Sequence, residues 1–175
     1  MHKMLCGLLV AALVFLAGCM ETGSETRQDD SSRTAPQISA EEQRRIDLYA
    51  AVMKAAFAEE NGGSAFIAVH LDTLAGLSDP AKTLVLEELA ELSPHVYDFD
   101  DVKTDASKFE FYDGKRHSRT LDGTVLWIEL EEYSDTHAII TGVSWFGVLG
   151  AVFPTYEAFY ENDSWQLRLI RMAIS

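Results

Sequence analysis

The spacing of apolar residues changes period partway along the chain, and that change constrains the fold more than any other feature. In the N-terminal half Ile46, Tyr49, Met53 and Phe57 recur at three- and four-residue steps, as do Leu84, Val85, Leu89 and Leu92. Helices are predicted there, over residues 39–60 and 80–92. The first opens on Ser39-Ala40-Glu41-Glu42, a capping-box pattern, and closes at Asn61-Gly62-Gly63. The second starts at Asp79-Pro80 and stops at Ser93-Pro94. Between them residues 65–71, short and rich in β-branched and aromatic side chains, read as a buried strand or as the start of another helix.

From residue 108 onward short extended runs replace the helical repeat. Residues 108–112, 116–121 and 124–132 are separated by Asp113-Gly114 and Asp122-Gly123, both hairpin signals. Runs 137–145, 151–161 and 164–174 follow, parted by residues 146–150 and by Asn162-Asp163. Helices first and strands afterwards predict an α+β domain, with the N-terminal helices packed on a C-terminal antiparallel β-meander. One face of that sheet is expected to bury Leu126, Ile128, Leu130, Ile139, Val143 and Leu167. The order of elements resembles cystatin-like or NTF2-like cone folds, and a fold-level likeness of this kind implies no activity.

Ahead of the domain lie two segments of different character. His2 and Lys3 precede an apolar run over residues 5–17, which is too short to span a hydrocarbon core of about 30 Å. The run ends in Leu16-Ala17-Gly18-Cys19. This tetrad resembles the lipobox of bacterial lipoproteins: an apolar residue, two small residues and the cysteine that is modified. The resemblance implies that residues 1–18 are a signal peptide and that Cys19 becomes the N-terminus, carrying a diacylglyceryl thioether and an N-acyl chain. Two or three acyl chains form a stable anchor where one holds marginally. Cys6 and Cys19 are the two cysteines of the chain, so disulfides, thiol catalysis and cysteine-zinc sites are then excluded from the mature protein. An ordinary secretory signal or a retained short membrane helix is the alternative. Residues 21–37 hold almost nothing apolar to offset the entropy of ordering them, and such a tether has an end-to-end distance on the order of 20 to 25 Å. The division expected is therefore a signal over 1–18, the lipidated cysteine and tether over 19–38, and one globular domain over 39–175. The domain is placed on the extracytoplasmic face of a cell membrane or outer membrane, with Met20 in the sorting position favouring the latter where one exists.

Charge narrows the partners. The chain carries 28 Asp plus Glu against 14 Lys plus Arg, a formal net charge of −14. Nucleic acid is a poor partner for such a surface, and anionic lipid headgroups repel it, so the acyl anchor must provide the membrane attachment.

No motif in the body announces a reaction. His70, His95, His117 and His137 stand too far apart in sequence for a helical or finger-like metal pair. Asp98, Asp100, Asp101 and Asp105 are dense enough to attract calcium, but Val102, Lys103 and Phe109 occupy positions where an EF-hand loop needs a ligand, a glycine and a glutamate. Gly142-Val143-Ser144-Trp145-Phe146 misses the hydrolase elbow at its last residue, and Ser144 lies in a meander. Glu129, Glu131 and Glu157 offer carboxylates for glycoside chemistry, although alternation places the first two on a wetted sheet face. No metal or cofactor is called for.

Two features stand out. Residues 145–154, with Trp145, Phe146, Leu149 and Phe153, form an aromatic and glycine-rich stretch too apolar for an ordinary turn. It is either a loop folded onto the core or the lip of a ligand site. Residues 115–119, with Arg116 and Arg119, make a basic knot in an acidic body, which balances neighbouring carboxylates or grips an anionic group. The leading expectation is a tethered, non-catalytic module that binds a small ligand or an envelope protein through Trp145, Phe146, Leu149, Phe153, Arg116 and Arg119. A glycan hydrolase using the paired carboxylates and an accessory subunit of a transport or assembly complex are the alternatives.

Overall fold

The structure, a computed structural model, describes residues 38–175. The signal segment, Cys19 and the tether up to residue 37 lie outside the described residues. The remaining chain is an α+β domain built on an 8-stranded sheet.

Helix α1 spans Ala40–Glu59, and Ser39 and Glu42 cap it reciprocally: the Ser39 hydroxyl accepts from the Glu42 amide while the Glu42 carboxylate accepts from the Ser39 amide. After it come strand β1 (Phe66–Val69), helix α2 (Asp79–Glu88), strand β2 (Val96–Asp98) and a short helix α3 (Phe99–Val102). Strands β3 (Phe109–Tyr112), β4 (Arg116–Thr120), β5 (Gly123–Tyr133), β6 (His137–Gly147), β7 (Gly150–Glu161) and β8 (Ser164–Ile174) complete the chain. The run over 65–71 is thus a strand, and its four buried residues Phe66–Val69 explain why no alternation marked it.

The long strands β5, β6, β7 and β8 pair antiparallel in chain order, as the meander reading predicts. The sheet as a whole is mixed, because β1 lies parallel to both β2 and β5. Strand pairing also departs from expectation at the second Asp-Gly. Asp113-Gly114 turns a true hairpin between β3 and β4, both residues with positive φ. Asp122-Gly123 instead hands the chain from β4 to β5 with no pairing between them. Strand β4 meets β6 at Arg119 and Gly147, while β5 starts beside β1 with Gly123 opposite Phe66. A Cβ on Gly123 would lie 2.2 Å from the Phe66 ring, so only glycine allows the ring to cross there.

Both faces of the sheet carry a core. On the first, α1 and α2 cover Ile67, Val69, Leu126, Ile128, Ile140 and Tyr156. Gly142 lets α1 approach closely: a Cβ there would lie 2.9 Å from Val52. On the second face α3 and the β3–β4 hairpin cover Phe66, Ala68 and Val125 with Val102 and Phe109. Of the six residues expected in one core, Leu126, Ile128 and Val143 are buried, whereas Leu130, Ile139 and Leu167 are half-buried. Ile139 and Val143 are odd-numbered β6 residues and share the second face, Ile139 opposite Glu132 and Glu157 and Val143 opposite Trp127. A bulge at Glu131, between the Leu130–Ile140 and Glu132–Ile139 pairs, shifts the alternation of β5 relative to β6.

Candidate functional site

The second face holds a small cavity of about 170 Å³, and its lining is almost entirely aromatic. Its floor is the sheet itself. Val125 and Trp127 stand on one face of β5, and Trp145 is the register partner of Val125 on β6. The walls come from above: His70 directly follows β1, Phe99 begins α3 and His117 stands on β4. Each wall has a local cause. The Asp98 carboxylate caps α3 by accepting from the Asp100 amide, which fixes where Phe99 starts its turn. The β3–β4 hairpin brings His117 opposite Phe111.

The rings form a continuous array. His70 and Phe99 have centroids 4.0 Å apart at an interplanar angle of 32°, and Trp127 meets His70 edge-to-face at 5.6 Å. Across the cavity Phe99 lies 5.3 Å from His117, which meets Trp145 edge-to-face at 6.5 Å. Phe109 and Phe111 support His117 from behind, at 4.8 and 5.0 Å.

The polar atoms of this array are mostly engaged away from the cavity. His117 Nε2 lies 2.6 Å from the Lys103 carbonyl, and because a carbonyl only accepts, Nε2 carries the proton. His70 Nδ1 is 3.6 Å from the Asp72 carboxylate. Burial lowers the His70 pKa, with Asp72, Asp100 and Asp98 opposing that shift, so the imidazole is neutral near pH 7. The Trp127 indole donates to Glu129 at 3.4 Å. No charged side chain is among the six that line the cavity. On the far side of His117 a broader hollow of about 550 Å³ is lined by Lys103, Thr104, Lys115 and Phe111 among others.

The residues expected at a site are not brought together as one. Trp145 lines the aromatic cavity. The stretch 145–154 is strand on both sides of a two-residue turn, Val148-Leu149, closed by the Gly147–Gly150 pair. Leu149, at the tip, is 92% exposed. The Phe146 ring lies over Gly150, away from the cavity, and Phe153 is half-buried on β7 opposite Ala173. Arg116 pairs with Asp113 within the hairpin turn and Arg119 with Glu110 on the neighbouring strand. Arg119, Phe146 and Leu149 do share a shallow, open hollow at the hairpin tip.

The carboxylates of the hydrolase alternative are each engaged. Glu131 receives Arg171 at 2.8 Å, and Glu157 receives Arg168 and, at 3.2 Å, His137. Hydrogen bonding from Arg168, then from His137, lowers the Glu157 pKa, the reverse of what a general acid at neutral pH requires. Ser144 is fully buried and donates to the Glu60 carbonyl at 2.6 Å. In the acidic stretch Asp98 caps α3, Asp100 pairs with Lys103, and Asp105 binds Ser107 and Lys108. Among the described residues no group of three His, Cys, Asp or Glu side chains converges as a metal site, and no helix is long and apolar enough to cross a membrane.

His70, Phe99, Trp127 and His117 were not singled out as site residues from sequence. A signal existed for part of the set: Val125 and Trp127 share parity on β5, so a tryptophan was bound to project beside Val125. Nothing local places His70 or Phe99 above them, since that depends on the parallel β1–β5 pairing. Comparison with protein-family models, with curated proteins and with solved structures finds no match.

Proposed function

We propose that the protein is a lipid-anchored extracytoplasmic lipoprotein whose globular domain binds a small ligand without transforming it. The observation that carries the binding reading is the aromatic cavity on the second sheet face, assembled from β5, β6, β4, α3 and the residue after β1. A concave, mostly apolar pocket with a few oriented polar groups is the ordinary form of a small-molecule site. Support for the anchor comes from Leu16-Ala17-Gly18-Cys19 and the apolar run before it.

Two experiments test the two halves. For the anchor, cells expressing the full chain are labelled with an alkyne fatty acid: label on the wild type and none on Cys19→Ser supports it, and equal labelling removes it. For the domain, thermal unfolding is followed against a library of small sugars, amines, carboxylates and amino acids. A ligand held by the native state at a hundred times its dissociation constant raises stability by about 2.7 kcal/mol. A dose-dependent rise lost in Trp127→Leu supports the cavity; a rise retained in that variant moves the site elsewhere.

A second reading, attachment to an envelope protein, draws on β8. Among the described residues this strand pairs only with β7, and Leu169, Ile170 and Ile174 are 46%, 49% and 72% exposed along it. An open, apolar edge of this kind is a template for added strands. Crosslinking from positions 170 and 174 in intact membranes separates it from the first reading.

A further inference from the structure

The ligand class of the cavity follows from the side chains that line it. We infer that the pocket between Trp127, Trp145, Phe99, His70 and His117 binds the head group of a small organic cation, an alkylated ammonium. The inference rests on the ligand-binding reading above and names its substrate class.

Ring faces carry negative electrostatic potential, so a site walled by rings attracts a cation that it can also desolvate, and tryptophan is the strongest of the side chains that do this. Two of the six lining residues are tryptophans, and the only aliphatic one is Val125 at the floor. A pocket for a purely aliphatic ligand has no electrostatic use for such rings over leucine or isoleucine. The charged groups just outside favour the same sign. Asp72 stands 3.6 Å from His70, Asp98 and Asp100 act on it from the start of α3, and Glu129 accepts from Trp127. The basic groups near His117 lie outside the cavity lining: Lys103, held by Asp100 at 2.8 Å, and Lys115 line the separate hollow behind His117, and Arg116, paired with Asp113 at 3.2 Å, lines another. The chain as a whole carries 28 acidic against 14 basic residues. Size sets a further limit. A cavity of about 170 Å³ is comparable with the roughly 150 Å³ that accepts a benzene ring, so it holds a trimethylammonium group and leaves the rest of a longer molecule at the mouth.

The test is calorimetric titration of the full chain, purified in an uncharged detergent, with choline and with 3,3-dimethylbutan-1-ol, which has the same shape without the charge. Choline is expected to bind roughly 2- to 30-fold tighter than the alcohol, the range of cation–π interactions from exposed to desolvated sites. Contacts between the N-methyl protons and the indole protons of Trp127 and Trp145, seen by NMR on the wild type, would place it in this cavity independently of any variant's folding. Trp145→Leu is expected to lose the preference for choline and Trp145→Phe to keep part of it. Equal or tighter binding of the alcohol overturns the cation inference and leaves the ligand pocket standing. Failure of both compounds to bind a cooperatively melting protein overturns the inference and removes the support for the cavity as a site.

Discussion

The Trp165 indole nitrogen donates to the Arg44 carbonyl at 2.8 Å, joining the start of strand β8 to the second turn of α1 across 121 residues of chain. The Trp165 ring also packs near Tyr160 and Tyr133, with centroids 5.2 and 6.4 Å away, and the residue is 8% exposed. The contact closes the domain, since the first helix described is locked to the last strand. Trp165→Phe keeps an aromatic ring and removes the donor. A net hydrogen bond contributes about 1 kcal/mol and the smaller ring adds a packing loss, so a destabilisation of about 1–3 kcal/mol is expected. Urea unfolding measures it; an unchanged midpoint would mean that the two ends of the domain are not coupled through this pair.

Two tyrosines on the same core face should respond oppositely to loss of their hydroxyls. Tyr49 donates to the Ala75 carbonyl at 2.7 Å, which fastens α1 to the loop before α2. Among the described residues the Tyr156 hydroxyl is buried with no hydrogen-bond partner, and burial followed by the nearby Glu59 pushes its pKa up to about 12. Tyr49→Phe therefore loses a hydrogen bond and costs about 1 kcal/mol, whereas Tyr156→Phe removes a desolvated group and is neutral or stabilising. Chemical denaturation of both variants checks the contrast. Destabilisation of Tyr156→Phe by as much as Tyr49→Phe would mean that the hydroxyl has a partner in solution.

The elements were legible where a local signal decides them. The capping box at Ser39 and Glu42, Pro80 at the start of α2, and Asn162-Asp163 between β7 and β8 are each read within a few residues, and each stands where expected. Pairing was less legible. The parallel placement of β1 between β2 and β5 depends on Phe66 fitting over Gly123, a contact between residues far apart in the chain. The cavity inherits that difficulty, because His70 and Phe99 reach it only through this pairing. Trp145 stands out in the sequence for its apolar surroundings, but it lines the cavity without the residues expected beside it: alternation along a strand sends Phe146 to the other side of β6, and salt bridges to Asp113 and Glu110 hold Arg116 and Arg119 at the hairpin.

His70 links the cavity to pH. Burial lowers its pKa in the native protein, against the pull of Asp72, Asp100 and Asp98, whereas in the unfolded chain it titrates near 6.5. Between these values the unfolded chain binds a proton that the folded one does not, so stability rises with pH. The neutral imidazole's contribution is therefore full above about pH 6.5 and is lost as pH falls toward the native pKa. Wild type should lose more stability than His70→Gln between pH 7 and pH 5, as read from urea midpoints at each pH. Parallel losses in the two proteins would show that His70 titrates as it does in the unfolded chain.

Glu42 should add a second loss of stability on acidification, of the same sign and at lower pH. Its carboxylate accepts from the Ser39 amide and hydroxyl and from the Ser78 amide, at 3.1 Å each, so it caps α1 and ties the start of α2 to it. Hydrogen bonding from the Ser78 side chain, then from the Ser39 and Ser78 amides, holds its pKa at about 2 against an ordinary value of 4.5. A depressed carboxylate pKa favours the folded state above the unfolded value, and this contribution is lost as pH falls from about 4.5 through about 2. Glu42→Gln keeps an acceptor oxygen but cannot titrate. It should be less stable than wild type at pH 6, and the difference should shrink steadily as the pH is lowered toward 2. Circular dichroism of urea unfolding at a series of pH values follows this. A difference that stays constant down to pH 2 would assign the loss to the geometry of the amide rather than to the charge, and would leave the cap without its electrostatic component.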